Sequence, residues 1–130
     1  MRLIFRDVLN HGERSVLTSE AAACAGKQNK FWEMHALLFQ HQARSFSTAP
    51  DQFTSFMQEL AGQIAGLDVN AFTQCYANHE TRAAIIAADE EHRQRGITAQ
   101  PIFEIGAQRL FGFQSVAVMS KAIDAELAKR

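Results

Sequence analysis

Apolar residues recur at steps of three and four positions through most of the chain, a spacing typical of amphipathic helices. The first such run covers residues 13–27, and the others cover residues 30–42, 51–65, 69–78, 80–95 and 116–129. Each run is predicted to be a helix. The polar segment 45–50 lies between two of them and is predicted to be a loop.

Three short segments have a different pattern, which predicts strands. Residues 102–105 alternate with period two, residues 109–111 follow after a Gly-containing turn, and the two segments are predicted to form a hairpin. Residues 2–6 are predicted to form an N-terminal strand. The chain is therefore expected to be α/β with a large helical insertion. Three short strands are fewer than a sheet usually contains.

Composition excludes several classes of protein. The chain has 130 residues, 47% of them hydrophobic, which predicts a single globular domain. A formal net charge of −1 gives no electrostatic reason to expect a nucleic-acid or membrane partner. No apolar run approaches the roughly 18 residues of a membrane span. The short, early-charged start is unlike a signal peptide, which predicts a cytoplasmic location.

The two cysteines, Cys24 and Cys75, are 51 positions apart, so the chain contains no Cys-x-x-Cys motif. Each lies on an apolar helical face, and each is interpreted as a small buried hydrophobic residue. A disulfide between them stays open as an alternative, because sequence spacing does not exclude it.

Other catalytic and cofactor signatures are missing from the sequence. The histidines, at positions 11, 35, 41, 79 and 92, do not have the spacing of a zinc site. The sequence contains no phosphate-binding glycine loop and no nucleophile elbow. We therefore predict no catalytic residue, no metal and no cofactor.

Four segments together resemble the DsbA-like thioredoxin superfamily, the bacterial thiol–disulfide oxidoreductases with a helical insertion. They are residues 2–7, residues 21–35 with the run Phe-Trp-Glu-Met-His, residues 96–101 (Gly-Ile-Thr-Ala-Gln-Pro) and residues 103–112. The resemblance implies an incomplete thioredoxin-like fold in one domain, residues 1–130. In this interpretation residues 1–28 and 96–130 are thioredoxin-like, and residues 29–95 form the helical insertion.

The same resemblance implies a site. Pro101 is expected to be a cis-proline, with an ordinary trans proline opening an edge strand as the alternative. Gln100 and Pro101 are the predicted substrate-binding residues, and extended peptides or protein thiols are the predicted partners. The chain departs from the family at Asn29, where glycine is usual, and at Ala99 and Gln100, which replace Gly-Thr before the proline.

The largest departure is the absence of the family's first strand and of its Cys-x-x-Cys helix. The chain is therefore expected to be truncated and without redox catalysis of its own, and whether it is an enzyme stays open. The missing strand would leave a gap between residues 3–5 and 102–105. We expect these two segments to collapse together or a second copy to fill the gap, which predicts a homodimer.

Three alternatives to a truncated oxidoreductase stay open. The chain could be a non-enzymatic module that binds peptides or dimerises through a thioredoxin-derived fold. It could be a glutathione-binding relative, or a helical domain with a chance hairpin.

Overall fold

The computed structural model describes residues 1–129, which form seven α-helices, one 3₁₀ helix and two strands. The elements in chain order are α1 (Glu13–Gly26), α2 (Phe31–Gln40), α3 (Gln42–Ser47), a 3₁₀ helix (Pro50–Gln52), α4 (Phe53–Ala61), α5 (Val69–Ala77), α6 (Arg82–Gln94), β1 (Ile102–Ile105), β2 (Gln108–Phe111) and α7 (Val116–Leu127).

Helix α1 is the centre of a helical body, because α2, α4, α5 and α6 all pack against it. Its buried face carries mostly small residues, including Ala21 and Ala25, which let neighbouring helices approach closely. Larger side chains fill the space between the surrounding helices. The most buried of these are Met34, Phe53, Phe56, Met57, Leu60, Phe72 and Tyr76.

The predicted helices are present, with corrections to two regions. The predicted loop 45–50 contains the second half of α3, which ends at Ser47. The predicted helix 51–65 is a 3₁₀ turn followed by α4, which ends at Ala61. Beyond Ala61 the chain tightens, because Gln63 and Ile64 donate backbone hydrogen bonds to carbonyls three residues back.

The predicted strand over residues 2–6 is wrong, since the structure assigns no strand to this segment. A strand needs a neighbouring strand to pair its backbone groups, and β1 and β2 pair only with each other within residues 1–129. Side chains of α6 bind the following residues instead. The Leu9 N–H donates to Asp89 Oδ1 at 2.8 Å, and His92 Nδ1 donates to the Asp7 carbonyl at 3.0 Å.

The predicted hairpin is present as an antiparallel pair in which Ile102 faces Phe111 and Ile105 faces Gln108. Its two-residue turn has positive φ, +57°, at Gly106 and not at Ala107, as a type II′ turn requires. A Cβ atom at Gly106 would collide with the Glu126 carboxylate, so the last turn of α7 lies against this turn. The fold is thus a helical body followed by a two-stranded sheet and a closing helix.

Candidate functional site

The segment that leads into the candidate site is fixed by the end of α6. Gly96 has a φ of +75°, and its N–H donates to the Arg93 carbonyl at 2.9 Å. The Ile97 N–H donates to the His92 carbonyl, also at 2.9 Å, and the Ile97 side chain is buried. These two bonds form a Schellman motif, which ends the helix and turns the chain. The loop that follows therefore starts from a rigid anchor.

The two predicted substrate-binding residues lie in this loop. Gln100 and Pro101 are both exposed, and the peptide bond between them is cis. Asn10 Nδ2 donates to the Thr98 carbonyl at 3.2 Å, which joins the loop to the N-terminal segment. The structure thus presents Gln100 and Pro101 to solvent at the start of β1. Their role in binding a substrate stays a prediction.

The edge of β1 that faces away from β2 is open. The Gly112 N–H donates to the Pro101 carbonyl at 2.8 Å, so these two residues form a hydrogen-bonded pair of the ladder. Such pairs alternate along an antiparallel ladder, which places the backbone groups of Phe103 and Ile105 toward β2. The N–H and C=O groups of Ile102 and Glu104 consequently point to the other edge. Within residues 1–129 no strand pairs with that edge.

A small charged network lies on one face of the hairpin. Glu104 accepts hydrogen bonds from Arg95 at 2.7 Å and from Arg109 at 2.9 Å, and Arg109 also donates to the Arg95 carbonyl at 3.0 Å. The bond from Arg109, with the bond from Arg95, holds the pKa of Glu104 below its ordinary value although burial opposes this. The network connects the hairpin to the end of α6 and fixes the Glu104 side chain beside the open edge of β1.

The cysteines lie elsewhere, and the interpretation of them as two separate hydrophobic residues is wrong. Cys24 of α1 and Cys75 of α5 form a disulfide with a Cα–Cα distance of 5.8 Å. Packing of α5 against α1 brings them together, which no pattern of sequence spacing indicates. Cys24 is 1% exposed and Cys75 5% exposed. The disulfide cross-links the two helices. Because it is buried, its sulfur atoms are closed to attack by a thiolate.

No metal cluster accompanies the site in the described residues. Residues 1–129 contain no group of three or more His, Cys, Asp or Glu side chains placed to hold a metal. A concavity of about 400 Å³ lies by Arg44 and Phe56, and one of about 320 Å³ lies between Leu110 and Ala122. Pro101 lines neither concavity, so the candidate site is a strand edge and a loop.

The sequence predicted the loop at Gln100 and Pro101 and a gap beside residues 102–105. It did not predict which backbone N–H and C=O groups of β1 lie at the open edge. The phase of the ladder depends on the bond between Gly112 and Pro101, and side-chain patterns carry little information about such a bond. The two-residue turn at Gly106 indicates the phase of the ladder, because in a hairpin with such a turn the flanking residues form a hydrogen-bonded pair.

Comparison with known proteins identifies the family. The described residues form a helical body, a two-stranded antiparallel sheet and a closing helix. The family model described as thioredoxin matches residues 1–125 of the chain. The chain therefore belongs to the thioredoxin family.

A curated relative adds context. The chain is 26% identical over 112 residues to Na(+)/H(+) antiporter NhaA 1 of Salinispora arenicola (strain CNS-205). The match covers 86% of this chain and 16% of that protein, so the chain spans about a sixth of the length of the relative. No solved structure matches the chain significantly. Residues 1–129 contain no helix that is long and apolar enough to cross a membrane.

Proposed function

We propose that this thioredoxin-family chain is a polypeptide-binding domain of the DsbA-like type. An extended segment of a protein substrate binds along the open edge of β1, beside Gln100 and Pro101. The observation that carries the proposal is the edge of β1 with which no strand pairs within residues 1–129, and β1 starts directly after the exposed loop. Backbone pairing would supply affinity, and the neighbouring side chains would supply selectivity.

The chain's own cysteines take no part in disulfide exchange in this proposal. Exchange needs an accessible sulfur and a thiolate of lowered pKa, whereas the Cys24–Cys75 bond is buried between two helices. The domain contributes the surface that holds the substrate.

The disulfide also bears on location. Buried structural disulfides are typical of oxidising compartments and are rare in the cytosol. We therefore propose that the domain works in an oxidising compartment, and this proposal replaces the expectation of a cytoplasmic location.

A second candidate function comes from the curated relative. That relative is an antiporter of which the match covers 16%, which is the relation expected of an accessory domain within a longer protein. In this candidate the β1 edge binds a segment of the same longer protein instead of a separate substrate. The intact mass of the protein isolated from its host tests the candidate. A mass of 14.5 kDa would exclude it.

Calorimetric titration with an extended polypeptide tests the main proposal. The probe is the S-carboxymethylated B chain of insulin, which has no free thiol. We expect saturable binding that is lost in Ile102→Pro, because proline removes an N–H at the open edge and leaves the ladder with β2 intact. Ile102→Val keeps the N–H and is expected to bind as the unmodified chain does.

Two outcomes contradict the proposal. One is the absence of binding at millimolar probe, and the other is binding that Ile102→Pro leaves unchanged. Glutathione, titrated in the same way, tests the alternative of a glutathione-binding relative. Reduction of insulin by the chain, lost in Cys24→Ala, would overturn the structural assignment of the disulfide.

A further inference from the structure

We infer that Asn10 is a positioning residue for the candidate binding loop, residues 98–101. Its side-chain amide holds the backbone of this loop in one conformation, so that Gln100 and Pro101 are presented ready to contact a polypeptide. The order of the loop is a property of the free chain, whereas the effect on affinity rests on the proposed function. None of the contacts that hold Asn10 and the loop involves the open edge of β1.

The loop is anchored at both ends but has a single hydrogen bond between them. It starts after the buried Ile97, which the Schellman motif fixes, and it ends at Pro101, whose carbonyl belongs to the β1–β2 ladder. In the described part of the chain, residues 98–100 take part in only one hydrogen bond, from Asn10 Nδ2 to the Thr98 carbonyl at 3.2 Å. An exposed backbone segment with so few contacts is mobile unless a contact of this kind orders it. The Asn10 amide is therefore the group that orders the loop.

Two contacts determine which way the Asn10 amide points. Arg93 Nη2 lies 3.1 Å from Asn10 Oδ1, and a guanidinium can only donate a hydrogen bond. The Thr98 carbonyl can only accept one, so it must face the Nδ2 end of the amide. Each partner requires the orientation that the other requires. The amide cannot be turned over without the loss of both hydrogen bonds.

Arg93 connects Asn10 to the place where the loop begins. Its Nε donates to Asp89 Oδ2 at 2.6 Å, and its Nη2 also donates to the Leu9 carbonyl at 3.3 Å. The carbonyl of the same arginine accepts from the Gly96 N–H at 2.9 Å at the end of α6. The arginine therefore holds the start of the loop through its backbone and Asn10 through its side chain. The contact of Asn10 with the loop closes this ring of hydrogen bonds.

Three variants separate the two roles of the side chain. Asn10→Asp keeps the acceptor for Arg93 but loses the donor to the Thr98 carbonyl, and Asn10→Ala removes both. Asn70→Asp makes the same change at an exposed position of α5 and is the control. If Asn10 only anchored the N-terminal segment to α6, Asn10→Asp would behave as the unmodified chain does. Because Asn10 positions the loop, we expect Asn10→Asp to loosen the loop as much as Asn10→Ala does.

Backbone amide order parameters of Ala99 and Gln100, from NMR relaxation of the free protein, measure the order of the loop. We expect values of about 0.85 in the unmodified chain and in Asn70→Asp, and values below about 0.6 in both variants of Asn10. Urea unfolding should show a smaller loss of stability in Asn10→Asp than in Asn10→Ala, because the contact with Arg93 remains. Unchanged order parameters in Asn10→Asp would overturn the inference, as would low values in the unmodified chain.

Calorimetric titration with the carboxymethylated B chain separates this inference from the proposed function. We expect Asn10→Asp to bind the peptide about two- to tenfold more weakly than the unmodified chain, the range for the loss of one neutral hydrogen bond. Asn70→Asp carries the same added charge and should bind as the unmodified chain does. Equal affinity in Asn10→Asp, with its loop mobile, would overturn the effect on affinity. A loop ordered by Asn10 in a protein that binds no peptide would overturn the proposed function alone.

Discussion

The N–H of Gly112 donates a 2.8 Å hydrogen bond to the carbonyl of Pro101, and this bond extends the β1–β2 ladder to the exposed loop. It determines that Phe103 is bonded to β2 while Ile102 and Glu104 face an open edge. The candidate site therefore consists of backbone groups held in place by a neighbouring strand. Substitutions far from the hairpin are expected to change stability without changing this edge.

Removing the disulfide is the first such change. Replacing Cys24 and Cys75 together with alanine should lower the free energy of unfolding by about 4 kcal/mol, the value for a cross-link that closes a loop of this length. Urea unfolding measures the loss, and peptide affinity should not change. In the unmodified protein, thiols should become reactive under reducing conditions only as fast as the protein unfolds. Rapid reduction of the native state would show that the bond is redox-active.

The second prediction concerns the contact that holds the N-terminal segment. Asp89 accepts hydrogen bonds from the Leu9 N–H at 2.8 Å and from Arg93 at 2.6 Å. Asp89→Asn should cost about 1–3 kcal/mol of stability, because hydrogen bonds to a partly buried charge are strong. Hydrogen exchange at Leu9 should accelerate. Glu90→Gln, a change at an exposed neighbouring position, is the control and should have little effect.

The same carboxylate predicts a pH dependence. Burial by itself would raise the pKa of Asp89, but the hydrogen bonds from Arg93 and Leu9 together lower it below its ordinary value of 3.8. The stabilisation is therefore complete above pH 3.8 and is lost as the pH falls through the lowered pKa of the folded state. The difference in unfolding free energy between the unmodified protein and Asp89→Asn should shrink in that range. A difference that stays constant under acid conditions would contradict the contact.

A buried carboxylate and an exposed carboxylate that lie beside the same arginine give a matched pair of variants. Glu20 is fully buried, accepts a hydrogen bond from His79 at 2.9 Å, and lies 4.0 Å from Arg82. Glu20→Ala should cost about 1.5–3 kcal/mol, the range for a hydrogen bond to a charged group, because its partners His79 and Arg82 are partly exposed and are not left as buried charges. Glu13 pairs with the same arginine on the surface, and Glu13→Ala should cost less than about 1 kcal/mol. Equal losses in urea unfolding would show that burial does not decide the effect.

Much of the helical body could be predicted from the sequence, because apolar spacing records which face of each helix is buried. The closing helix begins at Val116, as predicted, and Ser115 caps it by accepting a hydrogen bond from the Val118 N–H. Asn29, where the resembled family has glycine, has a φ of +59°. Asparagine tolerates this conformation, so the departure from the family preserves the turn.

Features that depend on distant partners could not be predicted. Residues 2–6 have the composition of a strand, but pairing decides whether a strand forms, and α6 binds the segment that follows instead. The disulfide depends on how α5 packs on α1, because it joins two cysteines that are 51 positions apart in the sequence. At the candidate site the sequence indicated the loop at Gln100 and Pro101. Which residues of β1 are hydrogen-bonded to β2 could be determined only from the structure.

The central claim is that a polypeptide pairs with the open edge of β1, and amide-resolved NMR of the labelled chain during titration with the carboxymethylated B chain tests it most directly. We expect the amides of Ile102 and Glu104 to shift and to become protected from exchange, while those of Phe103 and Ile105 are protected throughout. Shifts confined to other elements, or no shifts at saturating peptide, would contradict the account.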